Sequence, residues 1–124
     1  MELHDRIRAA VHGYVAGFEA VDLDAIVALY AEDATVEDPV GTPVVKGLEA
    51  IRAFYARSLK LKPKLRLQEP IRVVENSGAF AFTAAVTAPS GNIEIDVIDV
   101  MTFDQAGKIT SMRAFFGPTN IRKV

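Results

Sequence analysis

Cysteine and tryptophan are absent from the 124 residues, and histidine occurs only twice. Without cysteine there is no disulfide, no thiolate nucleophile and no sulfur-ligated zinc. His4 and His12 have no third ligand at a metal-binding spacing, so both read as solvated surface groups and no metal is expected. An excess of one charge is missing too. Basic residues number 14 and acidic ones 16, and the net charge of -2 provides no basic field for nucleic acid or anionic lipid. No apolar run approaches the roughly 20 residues of a membrane span. The opening MELHDRIRAAVHGY carries charges where a signal peptide needs an apolar core. An unprocessed cytoplasmic protein with no nucleic-acid or membrane partner is therefore expected. Repeats and linkers are lacking as well, and the length suits one domain over residues 1–124.

What is present is an ordered change of period. Leu3, Ile7, Val11, Tyr14, Phe18 and Val21 recur every three or four residues and predict a first helix with these side chains inward. Asp22 is placed to cap a shorter second helix that turns Leu23, Ile26, Val27 and Tyr30 to the core. The pattern then alternates. Ala34, Val36, Asp38 and Val40 form one face of a short strand ending at Pro39 and Gly41. A third helix, about Leu48 to Leu59, presents Leu48, Ile51, Phe54 and Tyr55. Strands near Leu65–Glu75, Ala79–Ala88, Asn92–Asp104 and Lys108–Gly117 follow, joined by turns short enough for antiparallel neighbours. Helices first and a meander after them predict an α+β fold, with three N-terminal helices packed on a curved antiparallel sheet.

Two acids break this pattern. In NIEIDVIDVM, alternation places Asp99 in one row with Ile93, Ile95, Val97, Met101 and Phe103, while Glu94 and Asp96 fall on the wetter face. Asp38 likewise sits on an apolar row. With Phe82, Val86, Val97, Met112 and Phe116 on the concave side and Phe54 above, the lining suits a flat apolar ligand. A carboxyl removed from water disfavours its charged form, and no lysine or arginine shares these rows. Asp99 is thus a candidate to stay protonated and donate a hydrogen bond, whereas Asp38, at a strand end before a proline, keeps enough solvent to ionise. Taken singly, Asp99 is as readily a structural acceptor of backbone N–H groups, and Asp38 a turn former. The three tyrosines, Tyr14, Tyr30 and Tyr55, all fall on inward helical faces; each alone would be an ordinary core aromatic, and together they suggest a connected hydroxyl network.

The segments DLDAIVALYAEDATVEDPVG, AIRAFYARSLKL, AFAFT, DVIDVM and GKITSMRAFFG resemble the bacterial ketosteroid isomerases (steroid Δ-isomerases) of the nuclear-transport-factor-2-like superfamily over nearly the whole chain. The resemblance implies a cone-shaped α+β fold and isomerisation of 3-oxo-Δ5-steroids to 3-oxo-Δ4-steroids without a cofactor. It places the family's aspartate base at Asp38, its oxyanion-hole tyrosine at Tyr14 and its protonated aspartic acid at Asp99. The supporting tyrosines fall at Tyr30 and Tyr55. It implies a steroid as the small-molecule partner and a homodimer joined through the outer face of the sheet, where Ile98 and Val100 lie. Some members carry tryptophan at the position of Phe116 and bulkier residues at those of Ala84 and Val86, which bears on the far end of the pocket. A non-catalytic carrier of apolar ligands, or a dehydratase, epoxide hydrolase or cyclase on the same scaffold, is the alternative. A carrier needs no base facing two donors, and epoxide hydrolysis needs a more polar lining to position water.

Overall fold

The computed structural model describes residues 1–124. Three helices precede most of the sheet: α1 (Leu3–Glu19), α2 (Leu23–Val27) and α3 (Leu48–Leu59), with β1 (Tyr30–Glu37) and β2 (Val45–Lys46) between the last two. β3 (Lys64–Val74), β4 (Ser77–Ala88), β5 (Gly91–Phe103) and β6 (Ile109–Phe115) form the meander, and a 3-10 turn leads to β7 (Ile121–Lys123). The α+β class and the bounds of α3 agree with the sequence reading. The strand order is β2-β1-β6-β5-β4-β3, with β7 paired to β5 at the rim. The pairs from β3 to β6 are antiparallel, as expected of a meander. β1 instead lies parallel to β6, in register Val36↔Met112 and Glu37↔Arg113. Local pattern carries no signal for that pairing, because the partners meet only after the whole meander has folded back.

Apolar periodicity explains which faces close. Ile7, Val11, Tyr14 and Phe18 are buried along α1, and Ile51, Tyr55 and Leu59 along α3. The Asp22 carboxylate caps α2 by accepting the Ala25 N–H at 3.1 Å, which satisfies one of the donors a helix start leaves open. α1 and α2 approach closely because residue 17 is glycine: a Cβ there would lie 2.6 Å from Ile26 Cγ1. Val21 departs from expectation. Its backbone turns to φ 53, just past the end of α1, and the side chain is exposed rather than inward. Tyr30 opens β1 instead of closing α2 and is buried all the same. Val40, expected on the inward row, lies in the turn after β1 and is exposed.

The core lies between the helices and the concave face of the sheet. There Phe80 pairs with Asp99, Phe82 with Val97 and Ala84 with Ile95 across β4 and β5, while Asp99 pairs with Ala114 and Met101 with Met112 across β5 and β6. The apolar rows read from the sequence therefore do share one surface.

Candidate active site

At one end of that surface the core is hollow. Tyr14 and Phe18 of α1, Tyr55 and Ser58 of α3, Asp38 after β1, Leu65 of β3, Phe82, Ala84 and Val86 of β4, Ile95, Val97 and Asp99 of β5, and Phe116 after β6 surround a cavity of about 200 Å³. Leu61 and Pro63 complete its wall, and Leu61 is half exposed, so this side opens to solvent. The apolar side chains follow from strand alternation: every second residue from Phe82 to Val86 and from Ile95 to Asp99 faces the hollow. Asp99 follows the same alternation and is held there whatever its chemistry.

Asp99 is 1% exposed, and neither carboxyl oxygen has a hydrogen-bond partner. A buried polar group without a partner is rare in proteins, and this one faces the cavity. Burial, and after it the charge of Asp38, pushes its pKa well above the ordinary carboxylate range. The shift favours the neutral carboxylic acid, whose O–H can donate a hydrogen bond. Asp38 is only partly buried, and burial alone raises its pKa to about 6. At neutral pH Asp38 is therefore mostly ionised, whereas burial favours the neutral form of Asp99. One cavity holds an acceptor and a donor of the same residue type.

The tyrosines form the expected network. The hydroxyls of Tyr14 and Tyr55 are 3.0 Å apart, and Tyr30 hydrogen-bonds Tyr55 on its other side. Donation from Tyr30 to Tyr55 and from Tyr55 to Tyr14 leaves the Tyr14 O–H free to point into the cavity. Burial keeps all three phenols protonated, with pKa values well above the ordinary 10.0. Edge-to-face contacts fix the rings: Tyr14 lies 5.1 Å from Phe18 and 6.2 Å from Phe80 between centroids.

Of the expected lining, Phe82, Val86, Val97 and Phe116 border the cavity. Phe54 and Met112 do not. Phe54 packs its ring 5.0 Å from Tyr55, outside the hollow, and Met112 is fully buried in the core beside its cross-strand partner Met101. Phe18, Ser58, Leu61, Pro63 and Leu65 were not singled out as lining by the sequence. Phe18 sits one turn beyond Tyr14 on the same helical face, which is a signal of proximity; Ser58, one turn beyond Tyr55, is another. His4 and His12 are exposed, and His12 approaches only Glu69, at 3.6 Å. No group of three or more His, Cys, Asp or Glu side chains gathers as a metal site, and no helix is long and apolar enough to cross a membrane.

Known proteins resemble this chain in both sequence and shape. Residues 11–112 match the family model of a SnoaL-like domain. A steroid Delta-isomerase of Nocardioides simplex is 43% identical over 112 residues, covering 90% of this chain and 90% of the relative. Among solved structures, the epoxide hydrolase/cyclase-like enzyme SalBIII, with a role in pyran ring formation in polyether salinomycin, superposes with a TM-score of 0.93 at 31% identity over 100% of both chains. A Mycobacterium tuberculosis protein in complex with estradiol-17beta-hemisuccinate superposes with a TM-score of 0.86 at 21% identity, covering 94% of this chain and 98% of that one, and shows the shared fold.

Proposed function

Since the chain belongs to the SnoaL-like, nuclear-transport-factor-2-like family, within its bacterial ketosteroid isomerases, we propose that it converts 3-oxo-Δ5-steroids to 3-oxo-Δ4-steroids by intramolecular proton transfer. The observation that carries the reading is the pair of unlike acids: a partly exposed Asp38 and a buried, unpartnered Asp99, both with raised pKa values, in one apolar cavity with Tyr14.

Asp38 takes the proton from the carbon between the ketone and the alkene, which is acidified by both. The electrons move into a dienolate, and the same carboxyl returns the proton two carbons further along, on the same face. Its pKa of about 6 suits both halves of the task, because a base ionised at neutral pH must still hold the proton briefly. Tyr14 and Asp99 donate to the dienolate oxygen as charge develops there. In a cavity whose walls are mostly hydrocarbon, those two bonds are worth more than in water. Tyr55 and Tyr30 orient the Tyr14 hydroxyl. The hollow holds one end of a flat ring system, and the far rings extend past Leu61 to the open side.

The likeness to an epoxide hydrolase/cyclase-like enzyme favours one second reading, since a neutral acid and a carboxylate facing each other also suit epoxide opening by a substrate hydroxyl. An absorbance assay separates the two. Appearance of the conjugated enone from a 3-oxo-Δ5-steroid, at a rate far above buffer and abolished in Asp38→Asn, is the expected result. No rate above buffer, with ring closure of a hydroxy-epoxide instead, overturns the isomerase reading.

A further inference from the structure

Asp38 is shifted by burial alone, with no hydrogen bond contributing, so its carboxyl is not held by bonds of its own. Its place in the cavity is set by the turn that carries it. That turn, from Asp38 to Gly41, is tied down from outside the cavity. The Val40 N–H donates to the Ala114 carbonyl at 2.8 Å, and the Thr42 N–H and hydroxyl both donate to the Pro39 carbonyl, at 3.1 and 2.7 Å. Ala114 is the residue beside Asp99 in the β5–β6 ladder. The base is thereby registered against the protonated acid across a single residue of β6.

Glu37, the last residue of β1, adds the only side-chain tie from that turn to β6. Its Oε1 accepts from Arg113 Nε at 3.0 Å and its Oε2 accepts from the Gly41 N–H at 3.0 Å. Arg113 is its partner in the parallel ladder, and the guanidinium is steadied over the Phe115 ring at 5.3 Å. Each oxygen of one carboxylate thus holds a different end of the same structure. One grips β6 and the other grips the far side of the turn, and the base lies between them in sequence. Gly41 suits this geometry because its φ of 103 is one that side-chain-bearing residues rarely adopt.

We propose that Glu37 is a positioning residue for the reaction, holding the Asp38 turn against β6 so that the base faces the oxyanion donors; this rests on Asp38 being the base. The Gly41 N–H and then Arg113 keep the Glu37 carboxyl below its ordinary range, so the clamp stays charged while Asp38 titrates. Glu37 and Arg113 point to the outer face. The titratable groups that line the cavity with Asp38 are Asp99 from β5, Tyr14 from α1 and Tyr55 from α3, with Tyr30 bonded behind Tyr55.

The test compares Glu37→Ala and Glu37→Gln with Glu94→Gln, which removes another carboxylate paired to arginine on the outer face but with no bond to the turn. Turnover of a 3-oxo-Δ5-steroid is measured between about pH 4.5 and 8, together with the affinity of a phenolic steroid and the circular dichroism of each variant. Displacing a reacting group by about 1 Å costs on the order of a hundredfold, so Glu37→Ala is expected to lower kcat by about ten- to a hundredfold. KM and phenol affinity, which report the intact Tyr14 and Asp99 end, should stay within about twofold of the parent. The acid limb of the kcat profile should move below about 6, toward the ordinary carboxylate range, as the freed Asp38 reaches water. Glu37→Gln retains an acceptor for Gly41 and should fall between, while Glu94→Gln leaves kcat unchanged. Unchanged kcat and acid limb in folded Glu37→Ala overturn the proposal, as does a parallel loss of kcat and phenol affinity, which marks general damage. Full activity of Asp38→Asn in the same assay sinks the base assignment instead.

Discussion

The two faces of β5 hold acids of opposite character. On the outer face, Asp96 accepts from Arg122 and from the Thr83 hydroxyl, and Glu94 is paired with both Arg122 and Arg66. These bonds lower both pKa values. On the inner face, Asp99 has neither a cation nor a donor and its pKa moves the other way. Backbone conformation is the same on both sides; what differs is only whether water and arginine can reach the carboxyl. Asp38 stands between these extremes, with enough exposure to ionise and enough burial to raise its pKa to about 6. Along β5, a strand's alternation therefore sorts chemically identical groups into ion-paired anions and a buried acid without a partner.

The comparison breaks first at Asp38. Asp38→Asn keeps the shape and removes the proton acceptor, so turnover should fall by about a hundred- to ten-thousandfold while a planar phenolic steroid still binds. Equal turnover would mean that the half-buried acid has no catalytic part. Next comes Asp99. Asp99→Ala removes a donor to the oxyanion and should cost about 2.7–4 kcal/mol of transition-state stabilisation, whereas Asp99→Asn, which still donates, keeps much of the activity. Phenol affinity should weaken in Asp99→Ala in the same order. Loss of stability alone, with activity per folded molecule unchanged, would reduce Asp99 to a structural acid.

pH dependence sharpens the contrast. Turnover should rise through about pH 6 as Asp38 ionises. Stability should run in the opposite sense. Both inner acids have folded pKa values above their unfolded ones, so the fold is unaffected by them below the unfolded value of 3.8. It loses stability as pH rises from there, to about 6 for Asp38 and further for Asp99. Asp99→Asn should therefore raise the melting temperature more at pH 8 than at pH 4, a difference that calorimetry reads directly. Glu94 and Asp96 predict the reverse slope, weakly, because their partners are exposed.

The smallest effect concerns assembly. The outer face leaves Ile98 49% and Phe115 42% exposed, which is much apolar surface for a sheet in water. Sedimentation at micromolar concentration should find a homodimer, and Ile98→Lys should shift it to monomer without changing the inner cavity. A monomeric parent protein would remove that expectation.

Much of this was legible from one dimension. Period alone predicts α1, α3 and the four-strand meander, and parity alone puts Asp99 and Asp96 on opposite faces, because side chains alternate along an unbroken stretch of ladder such as Asn92 to Met101. The Asp22 cap was equally plain. Contacts between distant segments were not. The parallel β1–β6 pair, the short β2 and β7, and the outward turn of Val21 follow from closure of the whole sheet and helix layer, which no local pattern encodes. The same reason separates Phe116, which borders the cavity, from Met112, which shares its row and is packed solid: hollow and core look alike until the helices are laid over them. By itself the sequence determined which residues of the long helices and strands face inward, Asp99 among them, though not Val21 and Val40 at their ends. The tertiary structure decided which inward residues meet empty space, how Glu37 ties the base turn to β6, and that no cation reaches Asp99. Burial and proximity are properties of packed surfaces, and they exist only once the surfaces have met.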